Sequence, residues 1–317
     1  TILFADIRNF TSLSESMSPQ ENFNFLNAYL IQMEPVIAAH GGFIDKYIGD
    51  GIMALFPDSP DAALHCALAM LKRLDEYNTG RERAGYRPIR IGIGINTGIV
   101  ILGTIGGASR MDGTVIGDAV NLAARMERLT KEYGVPILIS EYTLYCLDEP
   151  DLWSIRFLDR THVRGKQGTQ AVYEVFDGDP VPVREAKIKT RKIFEEALAC
   201  YHIDDIVSAH ERLLAYLALV PDDDAARVYL ERCETPSGSL REQRAELVSI
   251  WRDFWQRQAA RGVEPFPSPE EWEGRAFPVM AGGDFALIKA VEGFEDFTAF
   301  GRKQIGGAGC DTNTKAV

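Results

Sequence analysis

FIDKYIGDGIMALF, residues 43–56, is two short apolar runs joined by Gly49-Asp50-Gly51, a glycine-flanked turn that predicts a β-hairpin. Ahead of it, TILFADIR (1–8) reads as a buried strand. Between the two lies a helix start: Ser18 as N-cap, Pro19 at the first helical position and Glu21 closing a capping box. Phe23, Leu26, Leu30, Met33 and Ile37 then recur at helical spacing as far as His40, and Gly41 stops the helix. After the hairpin a second helix is expected from about Pro60 to Tyr77, followed by strands in IRIGIGINTG (89–98) and IVILGTIGG (99–107). TVIGDAVNLAARMERLTKEYG (114–134) reads as a short strand leading into a helix that ends at Gly134. Beyond ILIS (137–140) and a short helix, residues 155–176 make a hairpin around Gly165–Gly168.

Because hairpins interrupt the alternation of strands and helices, the chain is α+β with a mixed sheet, not a doubly wound parallel one. Its first elements (strand, helix, hairpin, helix, strand) follow the split βαβ, ferredoxin-like order. In that order the first strand lies beside the hairpin. Asp6, at the strand end, and Asp50, in the turn, are therefore expected to meet at one edge of the sheet. GIGINTG (92–98 within its strand) imitates a dinucleotide loop, but its third glycine falls one place late and no βαβ unit surrounds it. It is read as a strand with close backbone approach.

The connector DGDPVPVREA (177–186), rich in proline and acid, is expected to end a domain spanning 1–176. Residues 187–234 form an α-helical extension. In it Phe194, Leu198 and Tyr201 face Ala209, Leu213 and Tyr216 as one tetratricopeptide-like hairpin, a possible protein-docking element. The tail, 235–317, carries Trp251, Trp255 and Trp272 and is expected to be partly helical, without an assigned fold. Its AGGDFALIK (281–289) echoes the GGDEF motif of diguanylate cyclases, but the strand-helix frame of that family is missing around it.

The 317 residues carry a net charge of −12, with a pI of about 5.0, which argues against a nucleic-acid binder. Five scattered cysteines show no zinc spacing and read as reduced intracellular thiols. No apolar run approaches the ~20 residues of a membrane helix. The chain opens inside an apolar strand without methionine. A cytoplasmic domain is expected, cut from a longer parent that carries a regulator or membrane anchor upstream.

Two carboxylates at a strand end and an adjacent turn make a hard oxygen site suited to Mg²⁺ or Mn²⁺ held together with substrate phosphates. Asn121 and Arg125, four apart, project from one helix face; an amide can hold a hydroxyl and a guanidinium a phosphate. Lys46 precedes Asp50 by four residues. No serine elbow or paired histidine offers a protein nucleophile.

FADIRNFT (4–11), DKYIGDGIMALF (45–56), INTG (95–98) and MDGTVIGDAVNLAARME (111–127) together resemble, in order and spacing, the catalytic domain of class III nucleotidyl cyclases. The resemblance spans about residues 1–176. It implies that Asp6 and Asp50, with the Ile7 carbonyl, hold two divalent metal ions. Lys46 would contact adenine, and its usual aspartate partner is replaced here by Thr114, which marks a subgroup common among bacterial cyclases. Asn121 would orient the ribose and Arg125 stabilise the charged transition state, while Arg110 and Lys166 (or Arg164) would contact the triphosphate. The implied activity is conversion of ATP to 3′,5′-cyclic AMP and pyrophosphate, in cyclic-nucleotide signalling. Its sites are shared across a homodimer: one chain gives the acids, the other gives Asn121 and Arg125. The alternatives are a guanylyl cyclase, which typically carries glutamate in place of Lys46, and a weakly active dimerisation module.

Overall fold

The computed structural model describes residues 1–107, 110–162 and 169–234 and the backbone of 279–281 and 286–288; the side chains of 105–113, 162 and 169 fall outside the described residues. Two compact units divide the chain, one of Thr1–Glu195 with Leu217–Val228, the other of Glu196–Tyr216 with Tyr229–Val317.

The first unit contains β1 (Ile2–Ile7), α1 (Phe10–Ser14), α2 (Pro19–Ala39), β2 (Phe43–Ile48), β3 (Gly51–Leu55), α3 (Pro60–Arg83) and β4 (Ile91–Asn96). It continues through β5 (Ile101–Gly107), β6 (Arg110–Ile116), α4 (Asp118–Tyr133), β7 (Ile137–Ser140), α5 (Glu141–Tyr145), β8 (Ile155–His162) and β9 (Thr169–Val175). Seven strands form one sheet in the order β2-β3-β1-β4-β7-β9-β8, and β5 and β6 pair as a separate ribbon. β1 runs antiparallel to both β3 and β4, and β7 runs parallel to β4, so the sheet is mixed. Within it β2-β3-β1-β4 is the expected ferredoxin-like arrangement, with the first strand beside the hairpin.

Alternation along β1 sends its side chains to two cores. Leu3, Ala5 and Ile7 join Tyr29, Met33 and Ile37 of α2 and Leu64, Ala67 and Met70 of α3. Ile2 and Phe4 join Val115 and Ala123 on the α4 side. β4 divides in the same way. Ile91, Ile93 and Ile95 belong to the α2/α3 core, whereas Gly92, Gly94 and Asn96 face α4. A Cβ at Gly94 would lie 2.6 Å from the Glu127 Cα and 2.6 Å from the Met126 carbonyl carbon, so α4 rests directly on the strand. Asn96 Nδ2 donates to the Ala119 carbonyl at 2.9 Å and fastens the start of the helix. The close approach expected of GIGINTG is therefore the seat of α4.

Three local expectations change. The capping box at Ser18 and Glu21 forms, but α2 buries Phe25, Tyr29, Met33 and Ile37, and Phe23 is 63% exposed. α3 runs on past Tyr77 to Arg83, because the Arg81 guanidinium is buried over the Phe25 ring, 4.9 Å from its centroid, and donates to the Arg87 carbonyl. Helix α6 (Val181–His202) begins inside the stretch read as a connector, with Pro182 in its first turn, where a missing N–H costs nothing.

A buried ion network secures 217–228 within the first unit. Arg156 is fully buried; its Nε donates to Glu174 Oε2 at 2.5 Å, and its two Nη atoms donate to Asp223 at 2.6 and 3.0 Å. Lys187 joins Glu174 at 2.8 Å, and the Phe194 ring lies 4.0 Å below the Arg156 guanidinium.

The second unit takes the end of α6, most of α7 (Ile206–Leu219) and the end of α8 (Asp224–Glu234). Leu198, Ala209, Leu213 and Tyr216 are buried there, and Tyr201 meets Tyr229 edge to face at 5.1 Å. Strands β10 (Val279–Ala281) and β11 (Ala286–Ile288) pair antiparallel. Otherwise the tail read as partly helical, including Trp251, Trp255 and Trp272, lies outside the described residues. Among the described residues no helix is long and apolar enough to cross a membrane.

Candidate active site

The register of the sheet brings the two acids together. Ala5 pairs with Ile52 across β1 and β3, so Asp6 projects beside the β2–β3 turn that carries Asp50. A Cβ added to Gly51 would touch Asp6 Oδ1 at 3.4 Å. The Ile7 N–H donates to Asp50 Oδ2 at 3.2 Å, which ties the turn to the strand end. Burial, followed by the hydrogen bond and negative charge of Asp50, pushes the Asp6 carboxyl up to about 7.

Arg8 and Glu127 lie behind the acids. The Arg8 guanidinium donates to Glu127 Oε1 at 3.4 Å and to Thr130 Oγ1, both on α4. Burial pulls the Arg8 pKa down and pushes the Glu127 carboxyl up. Neither residue stood out in the sequence. The available signal was their spacing: Arg8 is two residues after Asp6, and Glu127 two after Arg125.

Asn121 and Arg125 lie one turn apart on α4, Asn121 exposed and Arg125 half-buried, while Leu122, Ala123 and Met126 face the interior. Among the described residues no ion pair joins Arg125 to Asp6 or Asp50 of the same chain. Lys46, on edge strand β2, donates to Thr114 Oγ1 on β6 at 3.1 Å and pairs with Asp45 at 3.2 Å. The structure thus joins two residues 68 apart that were expected to act on the same base. The Arg110 side chain, Arg164 and Lys166 lie outside the described residues.

The family model of the adenylate and guanylate cyclase catalytic domain matches residues 1–176. The chain belongs to this family. A 181-residue stretch is 51% identical to an adenylate cyclase of Anabaena cylindrica, covering 55% of this chain and 36% of that protein. Over 257 residues it is 37% identical to the terminal-differentiation-specific adenylate cyclase of Dictyostelium discoideum, covering 78% of this chain and 12% of that one. The chain therefore spans about a third or less of the length of these two relatives. A bacterial light-regulated adenylyl cyclase structure superposes with a TM-score of 0.50 at 31% identity, covering 55% of this chain and 50% of that one.

Cyclases of this family use divalent metal ions, and the acid pair of this cyclase domain fits them. Asp6 and Asp50 are hard oxygen donors forced together, and a cation would relieve their repulsion. Among the described residues no cluster of three or more acids, histidines or cysteines suits a metal. Two protein carboxylates are the pattern for an ion that completes its shell with water and substrate phosphate.

Proposed function

We propose that this cyclase domain acts on ATP, forming 3′,5′-cyclic AMP and pyrophosphate in sites shared by two copies of the chain. The contact between Lys46 and Thr114 carries the choice of base. The lysine ammonium only donates and meets a ring-nitrogen acceptor on the adenine edge, while the threonine hydroxyl can accept from the exocyclic amine. Guanine presents an N–H where adenine has that acceptor, and a lysine cannot satisfy it. Threonine at 114 supports a place in the bacterial subgroup that replaces the aspartate.

Asp6, Asp50 and the Ile7 carbonyl would hold two Mg²⁺ or Mn²⁺ ions. Such ions, when bound, supply positive charge to the triphosphate and acidify the ribose 3′-hydroxyl. The Asn121 amide holds the ribose so that its 3′-oxygen lies in line with the α-phosphorus. The 3′-O–P bond forms as the bond to the pyrophosphate oxygen breaks, and the hydroxyl proton passes to solvent water. Arg125 meets the negative charge that gathers on the α-phosphate oxygens; positioning and electrostatics carry the rate. Arg110 and Lys166 (or Arg164) are proposed for the outer phosphates.

Two features support a shared site. Among the described residues Arg125 makes no ion pair with Asp6 or Asp50 of its own chain, and Ile101, Leu102 and Ile116 of the β5–β6 ribbon, with Ile99 just before it, are between 52% and 93% exposed, an apolar surface for a second copy. The test is product formation from ATP and from GTP with Mn²⁺ or Mg²⁺. Cyclic AMP as the main product is expected; cyclic GMP alone would overturn the assignment of Lys46.

A further inference from the structure

We infer that Arg8 is a positioning residue that locks the acid-bearing end of β1 to helix α4, and so couples the two active sites of a dimer. The inference rests on the shared-site reading above. Arg8 directly follows β1, two residues beyond Asp6, and its backbone N–H donates to the Arg90 carbonyl at 2.8 Å. Its side chain crosses Gly92, which is the residue opposite Asp6 in the neighbouring strand. A Cβ at 92 would land on the guanidinium itself and on Thr130 Oγ1, so only glycine leaves the passage open. Beyond it, the guanidinium reaches Glu127 and Thr130 on α4. Arg8 and Glu127 side chains are 14% and 12% exposed, and Thr130 is fully buried.

This fork binds two elements at the places where chemistry depends on them. One end is two residues from Asp6, the other two residues from Arg125. A buried ion pair adds little net stability, but two hydrogen bonds from a planar guanidinium fix geometry. In a dimer with shared sites, the acids of a chain serve one site and its α4 serves the other. The Arg8–Glu127 link therefore joins half-sites of two different active sites, and a shift of either element passes to the other.

The test uses a mixed dimer of differently tagged Asp6→Ala and Arg125→Ala chains, which holds one intact site. Arg8→Ala is then added to either chain in turn. The coupling predicts that kcat for cyclic AMP formation falls about tenfold in both placements, with KM for ATP changed less than about twofold. Glu127→Gln should behave alike, and the double variant should lose little more. Loss in one placement only would mean that Arg8 serves a single element, and it overturns the coupling, as does loss in neither. A parent mixed dimer without activity fails the shared-site reading and not this link, which then stands on hydrogen exchange. In the Arg8→Ala chain, amides of Asp6–Arg8 and of Leu122–Thr130 should exchange about tenfold faster together, with β7–β9 unchanged. Unchanged exchange at either element, or a rise across the whole unit, overturns it.

Discussion

Gly94→Ala places one methyl group between a strand and the helix seated on it. The added Cβ would lie 2.6 Å from the Glu127 Cα and the Met126 carbonyl carbon, and nearer still to the Glu127 nitrogen. Carbon contacts are comfortable at roughly 3.5–4.0 Å, so α4 must retreat by about 1–1.5 Å. The obstacle is backbone and cannot rotate aside. The helix is also fastened by Asn96 to Ala119 and by Arg8 to Glu127, so a retreat breaks or stretches both contacts. Overpacking costs about 1–3 kcal/mol, and a backbone clash belongs at the upper end. For a unit of this size, about 3 kcal/mol lowers Tm by roughly 6–12 °C. Asn121 and Arg125 ride on α4, and a misplacement near 1 Å costs about 10²-fold in rate. The assay is thermal melting beside cyclic AMP formation at saturating ATP, well below the variant's midpoint. Gly80→Ala on α3 is the control, since a Cβ there meets nothing within 4 Å, and it should not lower the midpoint. If Gly94→Ala melts with the parent and keeps its rate within about twofold, the seat of α4 on β4 is wrongly drawn.

Arg156→Met should destabilise the first unit by about 3–5 kcal/mol, because Glu174 and Asp223 then keep buried charge without their shared guanidinium; a urea melt measures it. The acid pair sets a pH dependence of the metal-free protein. The folded-state pKa of Asp6, about 7, lies above its unfolded value, so the folded chain holds the extra proton. That stability is present at acid pH and lost as pH rises through about 7. Melts in chelator should show Tm falling from pH 6 to 8 in the parent and a flatter profile in Asp6→Asn. An unchanged slope in the variant would remove Asp6 as its source.

The acids could be read from the sequence because local rules fix them. An acid ending an apolar strand and an acid in a hairpin turn become neighbours once β1 lies beside β3, and the order of elements dictates that. Gly92 and Gly94 announced a close approach, but not what approaches, since α4 arrives from 32 or more residues further on. On α2 the helical spacing places Leu26, Leu30, Met33 and Ile37 against the core, but Phe23 at its start is exposed, and packing against β1 and α3 takes Phe25 and Tyr29 instead. Arg8 and Glu127, 119 residues apart, look like surface charges until the fold buries them together. VPVREA read as a linker because its prolines suggest a break, yet proline also opens helices.

The shared site is tested most directly by complementation. Asp6→Ala and Arg125→Ala chains, each inactive alone and each shown to dimerise, are mixed and assayed for cyclic AMP from ATP. One site in the mixed dimer recovers both Asp6 and Arg125, so activity should return to about a quarter of the parent value for random pairing, since about half the dimers hold one of two sites. No recovery, with mixed dimers demonstrated, would contradict the account.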